Sequence, residues 1–259
     1  MQASRMPVLF VGHGSPMNAI EDNDAHRSWQ ALAARLRLPR AIVCISAHWE
    51  TPGVCVTTAA YAPTIHDFYG FPKALFDVQY PAPGEPKLAQ RIAELLQPHT
   101  SVYLEPVRGL DHGAWSVLRV MYPLANVPVL QLSLDTRANG FEHYEIAKKL
   151  APLRDEGVLI MGSGNWVHNL RLFNFHDLQP LPWALAFDAE IKQRLLAGDH
   201  AALCAFQSLA NSELAIPTPE HYLPLLYAIA LQTPEDRLTF FNTTVQSAIA
   251  MTSIVIGEL

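Results

Sequence analysis

Five histidines carry the chemistry open to this chain: His13 in "FVGHGSP", His48 in "ISAHWE", His112 in "GLDHGAW", His168 in "SGNWVHN" and His221 in "TPEHYLPLL". Imidazole is the commonest neutral metal ligand near neutral pH, so a convergent set of this kind would suit iron or zinc. The 3 cysteines, Cys44, Cys55 and Cys204, form no CxxC pair. A closed structural zinc site or a disulfide framework is therefore not indicated, and an open catalytic site is favoured. Glu220 adjoins His221 and suggests two histidines plus a carboxylate, the set that serves non-haem Fe(II). Neighbouring residues on a helix point about 100° apart, which disfavours both as ligands to one ion. A carboxylate there would equally suit the positive end of a helix. Asp111, Glu50 and Asp67, each beside a histidine, are candidates to orient an imidazole.

The other histidines read differently. His26, His99, His143, His176 and His200 lie in polar or helix-edge contexts and are expected at the solvated surface. His66 lies in the aromatic loop "PTIHDFYGFP", where it either lines a pocket or is satisfied within the loop. Nucleophile chemistry has little support. "GHGSP" and "GSGN" hold serines, but no GxSxG elbow, GxGxxG fingerprint or P-loop occurs.

Short β-rich runs position these residues. "PVLFVG", "AIVCIS", "VCVTTA", "VPVLQLSL" and "GVLIMGS" have the length of buried strands. Helical periods separate them, in "HRSWQALAARLRL", "EPKLAQRIAELL", "HGAWSVLRVMY", "EHYEIAKKLAPLRDEG", "PWALAFDAEIKQRLLAG" and "PEHYLPLLYAIALQ", the last opened by His221. The tail "RLTFFNTTVQSAIAMTSIVIGEL" reads as strands that close a sheet. The expectation is one α/β domain over residues 1–259, with a central mixed, largely parallel sheet flanked by helices. Ligands bind outside the carboxyl ends of strands in such sheets, where His13, His48 and His168 fall.

Composition narrows the partners. Half the residues are hydrophobic, 16% are charged, and the net charge is −6. The longest basic run is Lys148–Lys149, so neither nucleic acid nor an anionic membrane is expected as a partner. The amino-terminal stretch lacks a signal-peptide pattern, and no apolar run has membrane-spanning length. A reduced, cytoplasmic protein is expected.

Taken in order, "LFVGHGSPMNAIEDN", "ISAHWE", "TIHDFYGFP", "YPAPGEP", "GLDHGAWSVL", "QLSLD", "SGNWVHNLR" and "TPEHYLPLLYA" resemble the class III, LigB-type extradiol ring-cleavage dioxygenases, in their DOPA 4,5-dioxygenase-like branch. The resemblance runs from about residue 6 to the carboxyl end. It implies Fe(II) held by His13, His48 and His221, with Zn(II) an occupant on purification. It implies that His168 is either a fourth ligand or the acid–base catalyst, and that His112 borders the substrate and its oxygen. The substrates implied are O2 and a small catechol, DOPA or a similar one, opened to a semialdehyde. Ser15, Asp67, Phe68 and Tyr222 are the candidate substrate contacts, with Trp115 and Trp166 as further aromatic walls. Relatives that use a glutamate ligand differ from this branch, so Glu220 does not inherit that role. A zinc-dependent hydrolase on the same histidines, or a non-enzymatic Memo-type metal-binding protein, are the alternatives.

Overall fold

The computed structural model describes residues 5–259. In chain order the first elements are β1 (Val8–Gly12), α1 (Asp24–Ala33), β2 (Ala41–Thr51), β3 (Val54–Thr57), α2 (Lys73–Phe76), α3 (Pro86–Leu96) and β4 (Val102–Glu105). Then follow α4 (His112–Met121), β5 (Val129–Asp135), α5 (Gly140–Lys148), α6 (Ala151–Asp155), β6 (Val158–Gly164), α7 (Pro182–Ala197) and α8 (His200–Cys204). The chain finishes with α9 (Ser212–Ala215), α10 (Leu223–Ile229), β7 (Leu238–Phe241), β8 (Val245–Gln246), β9 (Ile249–Ala250) and β10 (Ser253–Ile256).

Eight strands form one mixed sheet in the order β4-β3-β5-β2-β6-β1-β10-β7. The central strands β5, β2, β6 and β1 are parallel. At one side β10 and β7 run antiparallel; at the other β3 and β4 are parallel to each other and antiparallel to β5. This is the mixed, largely parallel sheet expected. Its strands read as unbroken apolar runs because both faces are covered. Val8, Phe10, Val43, Ile45, Leu132 and Ile160 face the layer containing α3, α5, α7 and α10. The alternate residues Leu9, Val11, Ile42, Cys44, Leu159 and Met161 face α1 and α4. Each fully buried side chain of this kind stabilises the fold by about 1.5–3 kcal/mol.

The structure departs from the sequence reading in several places. β4 was not anticipated; it is a half-exposed edge strand, with Tyr103 and Leu104 facing solvent, so it has no apolar run to signal it. The single helix expected over "EHYEIAKKLAPLRDEG" is two, α5 and α6, because Pro152 has no N–H and its ring would clash with the carbonyl four residues back. His221 does not open a helix but lies in a turn before α10. His143, expected at the surface, is fully buried on α5 with Nδ1 3.1 Å from the Tyr227 hydroxyl. No described helix is long and apolar enough to cross a membrane.

Candidate metal centre and active site

β1, β6 and β2 are adjacent and parallel, so their carboxyl ends share one edge of the sheet. Three chain segments leave that edge carrying imidazoles, and short polar contacts tie them together. The His13 N–H donates to Gly164 O at 3.2 Å, and the Gly14 N–H donates to Asn165 Oδ1 at 3.2 Å. Asn165 in turn donates its own N–H to His221 O at 2.8 Å and its amide to Ala250 O at 2.8 Å. This one residue, through its side chain and its backbone N–H, joins the β1 loop, the turn before α10 and β9. Gly164 permits the approach, since a Cβ there would stand 2.2 Å from His221 O.

His48 is held differently. It lies within β2, where pairing with β5 becomes irregular between Ile45 and Glu50. Such an irregularity re-aims side chains, and here it turns the His48 ring onto His13, with the two Nε2 atoms 3.1 Å apart. His112 is the first residue of α4, whose N-cap is Asp111. The fully buried Asp111 carboxylate accepts from Ser46 Oγ and Gln131 Nε2, both at 2.7 Å, and from the Arg108 guanidinium at 3.2 Å. Gly113 lets α4 lie against β2: a Cβ on it would sit 2.4 Å from Ser46 Oγ. His168 follows β6, its N–H donating to Ala215 O at 2.8 Å.

The result is a cluster of five imidazoles. The His13 ring lies 5.0 Å from His48, 5.4 Å from His221 and 5.7 Å from His112, centre to centre. His48 and His112 are 3.9 Å apart. His168 stacks on His221 at 3.5 Å with only 9° between their planes. Potential ligand atoms fall in two groups, His13 with His48 and His112, and His168 with Glu220 and His221.

Polar partners behind the rings decide which nitrogens face inward. The Ser163 hydroxyl donates to Gly113 O at 2.6 Å, so it accepts from His13 Nδ1 at 2.9 Å. His13 therefore carries its proton on Nδ1 and turns a bare Nε2 toward His48. Glu220 Oε1 accepts a hydrogen bond from His221 Nδ1 at 2.9 Å and another from Thr218 Oγ1 at 2.9 Å. Glu220 thus stands behind His221 as its orienting partner. Asp67 reaches over from the loop before α2, with Oδ1 2.9 Å from His112 Nδ1 and Oδ2 3.7 Å from His48 Nδ1.

Electrostatics favour the neutral form of His13, His48, His168 and His221. Burial, then the neighbouring imidazoles, holds His13 and His221 well below the usual histidine value. Burial lowers His48 to about 4, reinforced by His112. Burial also lowers His168 to about 4, against a pull upward from Glu220. For Asp67 burial acts upward, but its contacts with His112 outweigh it and bring the carboxyl to about 2. Neutral imidazoles with inward lone pairs and anchored outer nitrogens are what a divalent cation requires. The gap between the two Nε2 atoms of His13 and His48 fits a cation that both lone pairs face. The donor set, nitrogen with carboxylates behind, suits Fe(II) or Zn(II).

The remaining sequence candidates divide. Ser15 is exposed beside His13, and its Oγ accepts from Met17 N at 3.2 Å, capping a short 3-10 turn. Phe68 meets His112 edge-on at 5.6 Å and so borders the cluster. Tyr222 does not: it is wholly buried, its hydroxyl donates to Leu203 O at 2.9 Å, and its ring packs on Phe206. The Tyr222 side chain is directed into the core instead of bordering the imidazole cluster. Trp166 likewise stacks on Phe10 and donates to Asp188. Trp115 donates to Ile65 O and anchors the loop that carries Asp67. Ser163 and Asn165 were missed, although small polar residues at the end of an apolar strand were a usable signal. An open cleft of about 420 Å³ lined by His99, Asp135, Arg137 and Glu142 shares none of the imidazole residues.

Comparison with known proteins gives a concordant picture. The family described as "Catalytic LigB subunit of aromatic ring-opening dioxygenase" matches residues 5–251. A "4,5-DOPA dioxygenase extradiol" from Escherichia coli (strain K12) is 46% identical over 262 residues, covering 99% of this chain and 97% of the relative. A protein of the same name from Beta vulgaris is 42% identical over 85% of each chain. The crystal structure of an uncharacterized protein from Escherichia coli K12 superposes with a TM-score of 0.86 at 42% identity, covering 98% of this chain and 100% of that one.

Proposed function

The chain belongs to the LigB family of aromatic ring-opening dioxygenases and is an extradiol ring-opening dioxygenase, and from that premise we propose that it cleaves DOPA or a closely similar catechol with O2, using Fe(II), to a ring-opened semialdehyde. The observation that carries this is the cluster of five imidazoles at one edge of the sheet, with Ser163, Asp67 and Glu220 close behind His13, His112 and His221. The names of the relatives from Escherichia coli and Beta vulgaris support the substrate. The whole chain acts as one catalytic domain.

His13, His48 and His221 hold the metal, and the far-side partners Ser163 and Glu220 fix the orientation of His13 and His221. Bound there, Fe(II) supplies Lewis acidity toward the catechol oxygens and the one-electron chemistry that O2 requires. His168 moves the proton: it takes it from a substrate hydroxyl oxygen and returns it as the ring opens. Its stacking supports this role over ligation. With the His221 ring stacked on it at 3.5 Å, His221 would hold the metal and His168 would be left to carry the proton. Its depressed pKa keeps it neutral and able to accept. His112, at the amino end of α4, faces the reacting oxygen, and Phe68 beside it walls the ring of the substrate.

Anaerobically prepared protein loaded with Fe(II) should consume one O2 per DOPA and give a yellow ring-opened product identifiable by mass. Absence of a ring-opened product across a broad catechol panel refutes the proposal. So does activity with Zn(II) that is independent of O2.

A further inference from the structure

We infer that Asp67 is a positioning residue that acts on the reaction through His112, rather than a residue that binds substrate; this rests on the dioxygenase reading above. Its Oδ1 lies 2.9 Å from the backbone N–H of His112, which donates to it, and 2.9 Å from ring Nδ1 of the same residue. That Nδ1 is buried and forms no aligned hydrogen bond to any described residue, so the Asp67 oxygen 2.9 Å away acts on it as a close negative charge. One oxygen therefore faces both nitrogens, and it fixes where the residue stands and which way its ring turns. The second oxygen stands 3.7 Å from His48 Nδ1. Each carboxylate oxygen thus stands within 4 Å of an imidazole nitrogen.

The loop bearing Asp67 is built to hold that carboxylate still. The Ile65 N–H donates to Leu110 O and the Leu110 N–H donates to Pro63 O, both at 2.8 Å. Trp115 Nε1 donates to Ile65 O at 2.8 Å, and Tyr80 N–H donates to Thr64 Oγ1 at 2.8 Å. Leu110 immediately precedes the Asp111 cap, so loop and helix start are one unit. Two acids, Asp111 behind the helix and Asp67 in front of it, bracket His112. Removing Asp67 leaves α4 capped but frees the His112 ring to rotate and exchange its proton between nitrogens.

The test is a double-mutant cycle on the Fe(II)-loaded enzyme with DOPA. Asp67→Ala should lower kcat about 10–100-fold, the usual effect of losing such an orienting partner. KM should stay within about threefold, because no substrate contact is lost. In a His112→Ala background the same change should cost nothing further. An equal loss in both backgrounds, or a rise in KM with kcat retained, overturns the inference. Nitrogen-15 spectra of the wild-type histidine rings, taken on the Zn(II)-loaded protein, give a readout free of turnover. A proton on Nδ1 of His112 that becomes mixed between nitrogens in Asp67→Asn supports the assignment; a proton on Nε2 in the wild type overturns it. Should the wild type cleave no catechol, the functional reading fails while these spectra still decide the role of Asp67.

Discussion

Ser163→Ala removes a single oxygen from the centre of the site, and its effect can be worked from the contacts. Two bonds disappear: the His13 Nδ1–H loses its acceptor at 2.9 Å, and Gly113 O loses its donor at 2.6 Å. Ser163 is fully buried and His13 is 1% exposed, so water does not replace the hydroxyl. Each orphaned buried group costs about 1–3 kcal/mol, and with relaxation the pair should cost about 2–4 kcal/mol of metal-free stability. For a chain of this size that lowers Tm by roughly 4–16 °C. The second consequence is specific to function. Without an acceptor at Nδ1 the His13 proton is no longer confined to the outer nitrogen, and metal affinity should fall about 10–100-fold, equivalent to about 1.4–2.7 kcal/mol. Calorimetry of the metal-free variant reads the first number, and chelator competition with Co(II) or Fe(II) reads the second. Metal affinity within about twofold of wild type, beside a lowered Tm, would refute the orienting role and leave Ser163 as packing alone.

Two further outcomes are expected. His13→Ala, His48→Ala and His221→Ala should each lose bound metal by elemental analysis, whereas His168→Ala should keep it and lose about 10²–10⁴-fold in turnover; metal loss from His168→Ala would contradict its role as proton carrier. The metal-free protein should lose stability as pH falls from about 6.5 toward about 4, because burial holds His48, His143 and His168 each down at about 4. Their folded values lie below the unfolded one, so the unfolded chain binds more protons in that window and acid favours it. Asp67 acts lower down: its folded value is depressed, so its contribution is present above about 3.8 and is lost as pH falls through about 2. A Tm that stays flat between pH 6.5 and 4 would argue against buried neutral imidazoles.

Much of the site could be read from the chain because the strand-end rule works on local patterns. His13 and His168 follow apolar runs directly, and the sheet puts those runs side by side. His48 was found for a partly wrong reason. It sits inside β2 rather than beyond it, and a pairing irregularity invisible in sequence aims its ring. Glu220 looked like a ligand or a helix cap, yet it holds His221 from behind, because the residues form a turn instead of a helix. Tyr222 and Trp166 are aromatic residues adjacent to functional ones, and sequence cannot tell which face of the backbone an aromatic ring takes. Ser163 and Asn165 stand at the end of an apolar strand, which hints at a site, but their partners His13 and Gly14 lie about 150 positions away, so no local pattern names the contacts they make. The same holds for His143, whose burial against Tyr227 depends on how α5 packs on α10.

The antiparallel insertion of β10 between β1 and β7 has a consequence for biogenesis. The Gly12 N–H, one residue before His13, donates to Ser253 Oγ, 241 positions later. At translation speeds of roughly 5–20 residues per second, about 10–50 s separate the making of these two partners. His48 is made early in that interval, but β6 is complete only about 150 positions after His13, and His221 follows about 210 positions after it. Until then an ion meets only part of the imidazole set, which holds divalent metals less tightly than the assembled site. Choice among competing metals thus rests on contacts made late in synthesis. His13 is an early residue with a late environment.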